Sequence, residues 1–390
     1  MKIARLEDLH CDAGWRNWSF LKITTDDGLI GWSEYNESYG SKGLSAIIHA
    51  LGATLIGQDP GPIERISAML YAMTRQAPGG MNAQAIAAIE NALLDIKGKA
   101  LGVPVYALFG GPVRTRLPLY WSHCGTYRIG RADAIGVAPL RSLDQVAALG
   151  AEVKRRGFKA LKTNIFRFDG AAPDLYMPGF TRSAGYPELN LDRRTLEAIK
   201  AEMQAFRDGA GPEMGLLLDL NFNFKTEGYI RIARALEPHD LFWLEIDSYD
   251  PQALAEIRRA APMPVASCES LFGRRQFRPF FENQSMSVAI VDVPWNGLLE
   301  SLKIAAMAEA YEINVAPHNF YGHICNLMSA HFSATVPNFR VMEIDIDDVP
   351  WKDEIVTAPP VIENGELIVP TAPGWGADVD ETVLRRHPPK

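Results

Sequence analysis

GLLLDLNFNFKTEGYIRIARALEPHDLFWLEIDSYDPQALAEIRRAAPMPVASCE, residues 215–269, is the stretch whose reading decides the fold. It holds three short apolar runs, GLLLDLN (215–221), LFWLEI (241–246) and MPVASCE (263–269), each carrying one carboxylate near its far end. Between them, TEGYIRIARALE and DPQALAEIRRA space their apolar residues at helical intervals. Short apolar strands alternating with amphipathic helices read as βα units of a parallel sheet.

The same rhythm extends in both directions. Further strands are expected at LPLYW (117–121), FKALKTN (158–164), SVAIVD (287–292), INVAPH (313–318) and FRVMEI (339–344), with helical segments between them. Eight strands and seven intervening helices make a parallel (β/α)₈ barrel over residues 116–345. Residues 1–115 read as an α+β capping domain. MKIARLEDLH is a strand, and NWSFLKITTDDGLIGWSEY is a hairpin turning at Asp26-Asp27-Gly28. MNAQAIAAIENALLDIKGKALG is a helix with Ile86, Ile89, Leu93, Leu94 and Ile96 on its apolar face, ended by Gly102. Prolines at 350, 359 and 360 interrupt any last helix, so residues 346–390 are expected to return and pack on the capping domain.

Bulk composition narrows the function. With 390 residues, 47% of them hydrophobic, the chain can bury a large core in two or three domains. A formal net charge of −8 argues against nonspecific nucleic-acid binding. Cys11, Cys124, Cys268 and Cys325 are far apart and form no Cys-x-x-Cys pair, so neither a zinc nor a disulfide framework is expected. No membrane span or signal peptide is expected either, and a cytoplasmic location fits.

Barrel enzymes carry their chemistry at the C-terminal ends of the strands. Read there, the sequence offers Lys162 and Asn164, Asp219 and Asn221, Glu245, Glu269, Asp292, His318 and Glu343. Asp219, Glu245 and Glu269 are 26 and 24 residues apart, one βα unit each. Three carboxylates on one mouth repel each other unless a hard cation neutralises them, and oxygen-only donors suit Mg²⁺. Each alone could equally cap the next helix. Asp292 and His318 lie on neighbouring strands, where a carboxylate on one imidazole nitrogen makes the other a better base. Lys162 could bind a substrate carboxylate. Glu343 could hold an enolate oxygen, as a donor if protonated. Arg16 and Trp18 in the cap, with residues 36–43, Arg167 and Tyr176, are expected to contact substrate. The long connection from 164 to about 190 reads as a functional insertion or a subunit contact.

This order of strand ends resembles the mandelate racemase subgroup of the enolase superfamily, as do FLKITTDDGLIGWSE and IENALLDIKGKALGVPVYALFGG. Within it, LIGQDP (55–60), Lys-x-Asn (162–164) and KIAAMAEAYEINVAPH (303–318) look most like acid sugar dehydratases of the galactonate dehydratase kind. The resemblance implies a homo-oligomer with Mg²⁺ on Asp219, Glu245 and Glu269, and a carboxylate substrate on Lys162. It makes His318 with Asp292 the base, and Glu343 the support of the enolate. The expected reaction is α-proton abstraction from an aldonate or aldarate, then loss of the C3 hydroxyl to give a 2-keto-3-deoxy acid. A racemase, epimerase or cycloisomerase, or a non-catalytic homologue, is the alternative. Four departures from the family pattern stand out. Asn164 replaces a second base, Asn221 replaces an acid, Glu245-Ile246-Asp247 replaces Glu-Glu-Pro, and Cys268 replaces a glycine. The acid for the leaving hydroxyl is left open between the His318 imidazolium and a lid residue.

Overall fold

A computed structural model of the chain describes residues 1–39, 41–180 and 188–390. Gly40, in the 36–43 loop, and residues 181–187, in the long connection, lie outside the described residues.

All eight expected barrel strands are present. In chain order they are Arg116–Ser122, Ala160–Thr163, Gly215–Asp219, Trp243–Glu245, Val265–Ser267, Val288–Asp292, Asn314–His318 and Met342–Asp345, here numbered barrel strands one to eight. Neighbours pair in parallel, strand eight returns to strand one, and a bridge between Val315 and Phe339 completes the circle between strands seven and eight. Helices such as Leu143–Arg155, Arg193–Ala210, Thr226–Ala235 and Leu298–Glu309 cover the outside.

The pleat explains why the barrel can be closed below and reactive above. Tyr120, Ala160, Leu217, Trp243, Ile290, Ala316 and Val341 form one buried apolar cluster drawn from the strands. Side chains on a strand repeat their direction every second residue. Two positions further along the same strands come Ser122, Lys162, Asp219, Glu245, Asp292, His318 and Glu343, all buried. An apolar floor thus lies directly beneath a polar layer. The Trp243 indole N–H donates to Glu245 Oε2 at 2.9 Å, joining the two layers.

The N-terminal residues form a three-stranded antiparallel sheet, Ile3–Asp12, Asn17–Thr25 and Ile30–Tyr35, turning at Gly28 as expected. The helix Gly80–Leu101 lies on it so closely that a Cβ on Gly31 would meet the Ala92 carbonyl oxygen at 2.2 Å. Two contacts lock this unit to the barrel and to the C-terminal tail. Glu34 accepts from the backbone N–H groups of Gly322 (2.6 Å) and Cys325 (3.0 Å), at the start of the helix His323–Thr335. Asp95 accepts from the N–H groups of Trp32 and Trp375, each at 2.9 Å, tying the tail to the cap. Glu366–Ile368 also adds an antiparallel strand to barrel strand one, where the sequence had suggested no strand. No helix among the described residues is long and apolar enough to cross a membrane.

Candidate active site

The polar layer is an electrostatic unit centred on Lys162. Its ammonium is buried and lies 2.7 Å from Glu245 Oε1 and 2.8 Å from Glu343 Oε1. Burial would lower the lysine pKa, but Glu245 and Glu343 outweigh it and hold the group charged. Glu343 also accepts from Ser122 Oγ at 2.5 Å and from the Asn319 N–H at 2.6 Å. Burial would raise its pKa, yet Lys162, with His318 and His123, holds it well below the usual carboxylate range. Glu343 is therefore an ionised acceptor, not the protonated donor allowed for by the sequence.

Asp292 and His318 are register partners on strands six and seven, and His318 Nδ1 lies 2.6 Å from Asp292 Oδ2. The same oxygen accepts from the Tyr321 hydroxyl at 2.6 Å. Oδ1 accepts from the Trp295 N–H at 2.7 Å. Asp292 thus caps a helix and orients the imidazole at once, so the two readings of a strand-end carboxylate coexist. His318 Nε2 points toward Glu269 Oε2, 3.7 Å away. Burial would lower the imidazole pKa, but Glu269 and Asp292 push it up to about 10.

Asp219 and Glu245 are also register partners, on strands three and four. Burial raises the pKa of both against the pull of Lys162. It raises Glu269 to about 7 and drives Asp247 well above the usual carboxylate range, with Glu269 and Asp219 adding repulsion. Asp247, buried two residues past Glu245, belongs to the cluster, whereas the sequence reading noted it only as a departure from Glu-Glu-Pro. Continuing the alternation one step beyond the strand end would have found it, and Asp345 with it.

Four buried carboxylates, Asp219, Glu245, Asp247 and Glu343, and the half-buried Glu269 share one lysine and the two imidazoles of His318 and His123. That deficit of positive charge is what a divalent cation corrects, and the donors at hand are all oxygen, as Mg²⁺ requires. The residues therefore fit such an ion. Among the described residues, no three His, Cys, Asp or Glu side chains are already gathered into a metal cage. Part of the reason is visible: Glu245 is turned to Lys162.

The remaining expected residues fall into two groups. Asn164 and Asn221 bind each other at 3.2 Å on the rim, and Asn164 Oδ1 accepts from Thr126 at 2.8 Å. Arg16 is buried and committed to Asp348 at 2.8 Å, with Tyr127 at 3.3 Å, and Trp18 is buried beneath it. Both frame the mouth from inside the fold. A cleft of about 500 Å³ runs past them, lined by Trp15, Arg16, Asn17, Tyr39, Lys42 and Lys390. It lies beside the carboxylates and not over them. Phe320 joins the two, with ring centroids 6.1 Å from Tyr39 and 5.1 Å from His318. Arg167 ion-pairs with Asp174 and lies over the Tyr176 ring at 4.2 Å, so these two insertion residues hold each other.

Known proteins place this site in context. Residues 14–110 match the mandelate racemase/muconate lactonizing enzyme N-terminal domain, and residues 145–383 match the enolase C-terminal domain-like family. D-galactonate dehydratase of Ralstonia nicotianae is 30% identical over 98% of this chain and 94% of its own length. D-xylonate dehydratase of Haloferax volcanii is 27% identical over 95% of this chain and 85% of its own. A crystal structure from Burkholderia xenovorans strain LB400, provisionally named an L-alanine-DL-glutamate epimerase and bound to magnesium and fumarate, is 51% identical with a TM-score of 0.97. It covers 100% of this chain and 96% of that one. The chain belongs to the mandelate racemase/muconate lactonizing enzyme family of the enolase superfamily.

Proposed function

We propose that the protein is a Mg²⁺-dependent acid sugar dehydratase. It would act on an aldonate or aldarate and form a 2-keto-3-deoxy acid. The observation that carries this is the orientation of the His318–Asp292 pair, with His318 Nε2 facing Glu269 of the carboxylate cluster. The dehydratase names of the Ralstonia and Haloferax relatives support the same class.

Asp219, Glu245 and Glu269 would hold the ion, with Asp247 beside them. When bound, the ion supplies positive charge that acidifies the α-proton and stabilises the enolate. Enolase-superfamily sites pair a Lys or His base with Mg²⁺, and these residues fit that pattern. Lys162 binds the substrate carboxylate. Asp292 fixes the proton on His318 Nδ1, so Nε2 is the atom that takes the C2 proton. A cation held by Glu269 would offset one of the charges that, with Asp292 and Glu343, raise the imidazole pKa, and so would bring it nearer the range of a working base. Loss of the C3 hydroxyl then gives an enol, which tautomerises. Asn164 can hydrogen-bond but cannot exchange a proton, which disfavours return on the opposite face.

Screening aldonic and aldaric acids for keto-acid formation tests the reading. His318→Asn should lower turnover of the best substrate about 10²–10⁴-fold while leaving the melting temperature unchanged. Full turnover in that variant would remove His318 as the base. Asp219→Asn should weaken Mg²⁺ binding by about tenfold or more in calorimetry. The epimerase name of the Burkholderia structure favours a second reading, inversion at C2. Reaction in D₂O separates them: an epimerase returns deuterated substrate, a dehydratase releases keto acid.

A further inference from the structure

The mouth holds a second imidazole–carboxylate pair, which no part of the preceding mechanism uses. We propose that His123, held by Asp345, is the general acid that protonates the departing C3 hydroxyl; this rests on the dehydration reading above.

Its placement follows from the barrel. His123 is the first residue past strand one and Asp345 the last of strand eight, and Ser122 and Asp345 are register partners. His123 Nδ1 lies 2.8 Å from Asp345 Oδ1. A φ of +46° at His123 breaks the strand's alternation, so no sequence period foretells its direction. The other oxygen of Asp345 accepts from the Tyr127 hydroxyl at 3.0 Å and lies 3.8 Å from Arg16. The Tyr127 ring stacks on the imidazole at 4.9 Å and 22°. The ring is thus clamped through Nδ1 and one face. Its Nε2 has no hydrogen-bond partner among the described residues, and the side chain is 19% exposed while Asp345 is fully buried.

The pair borders the same substrate space. Ser122 Oγ, 3.3 Å from His123 Nδ1, donates to Glu343, which in turn holds Lys162. Phe320 neighbours both imidazoles, its centroid 6.1 Å from His123 and 5.1 Å from His318. The rings are therefore no more than about 11 Å apart, a gap on the scale of a small hydroxy acid. The charged groups around His123 include Asp345, Glu343 and Asp219, which favour its proton, and Lys162, which opposes it; Arg16 and Tyr127 sit behind Asp345. Burial also opposes the proton, and the carboxylates win. Its environment thus favours the protonated ring more than water does, as suits an acid, while the amides of Asn164 and Asn221 are not proton-transfer groups.

The step balances. The C2–H bond breaks, its proton going to His318 Nε2 and its electron pair into the C2–C3 bond. The C3–O bond breaks as the His123 Nε2 proton joins the departing oxygen, releasing water. Protonation of the enol at C3 and loss of its hydroxyl proton give the keto acid. Proton exchange with solvent resets both rings.

The test uses the Mg²⁺-loaded enzyme and three readouts: keto-acid formation, C2 proton exchange in D₂O, and fluoride release from the 3-deoxy-3-fluoro analogue, whose leaving group needs no acid. His123→Asn suits it, because asparagine tolerates positive φ. Expected is a loss of hydroxyl elimination of about 10²–10⁴-fold, with exchange and fluoride release within about threefold of wild type. Asp345→Asn should show the same selectivity in weaker form. Hydroxyl elimination at the wild-type rate in His123→Asn overturns the proposal. So does an equal fall in all three readouts at unchanged melting temperature, which would make the pair structural. Wild-type enzyme that exchanges C2 yet forms no keto acid across the acid panel would overturn the dehydration reading itself, and the acid role with it.

Discussion

Cys268 has a φ of +91°, an orientation that costs an L-residue about 1–2 kcal/mol. The fifth barrel strand shows what this strain accomplishes. Ala266 belongs to the apolar floor, so simple alternation would send Cys268 into the polar layer and Glu269 away from it. Instead the thiol is buried and Glu269 comes to 3.7 Å from His318. The twist at Cys268 shifts the strand's phase by one residue and delivers the carboxylate. Glycine reaches such a φ freely. Cys268→Gly should therefore be more stable than Cys268→Ala by about 1 kcal/mol, because both lose the thiol and only alanine keeps the strained Cβ. Urea unfolding of the two variants measures this, and equal midpoints would show that the strain is relieved elsewhere. The catalytic consequence runs in the same direction: alanine and glycine both leave Glu269 in its shifted phase, so both should retain Mg²⁺ binding.

Among elements, the contact that matters most for the site is the one between the cap's third strand and the helix His323–Thr335. That helix follows His318 by five residues, and Tyr321, just before it, braces Asp292. The first N–H groups of any helix lack partners within it. Here Glu34, from the other domain, supplies two acceptors, and its pKa is pushed up to about 7 by burial against the pull of those N–H groups. Gly322 permits the approach, since a Cβ there would lie 2.7 Å from Glu34 Oε1. Glu34→Ala should cost about 2–4 kcal/mol by orphaning two buried donors, and Glu34→Gln, which keeps one acceptor, about half of that. Hydrogen exchange at the Gly322 and Cys325 amides checks the cause, because protection lost elsewhere first would point to a different weak link. The helices and strands themselves were legible, since hydrophobic period and turn residues are local. The placing of Asp292 beside His318 and of Asp219 beside Glu245 was legible because strand ends align in a barrel. Glu34 as a cap, the phase shift at Cys268 and the His123–Asp345 pair were not, because each depends on a partner or a backbone angle that no local pattern encodes.

At the scale of the whole molecule, cap, barrel and tail meet at one neutral histidine. His331, on the helix His323–Thr335, accepts from the Tyr106 N–H through Nδ1 at 3.0 Å and donates from Nε2 to the Trp375 carbonyl at 3.2 Å. Its ring stacks on Tyr106 at 5.2 Å and meets the Trp375 edge at 5.3 Å. Trp375 is in turn fixed to Asp95 and Trp32 of the cap. An acceptor role for Nδ1 forbids a proton there, and burial, only partly offset by the Trp375 carbonyl, lowers the pKa from 6.5 to about 4. The unfolded chain therefore binds a proton between those values that the folded chain refuses. The stability this group contributes is complete above about pH 6.5 and is lost as the pH falls through about 4, a change of about 3 kcal/mol. Gln at this position can accept and donate without titrating. The stability difference between wild type and His331→Gln should hence shift by about 1.4 kcal/mol per pH unit across that window, with wild type losing ground as acid is added. Denaturant midpoints from pH 7 to pH 4 measure it directly. A constant difference would mean that the imidazole is already charged in the folded protein, and the three-way junction would then have to be held by Trp375 and Asp95 alone.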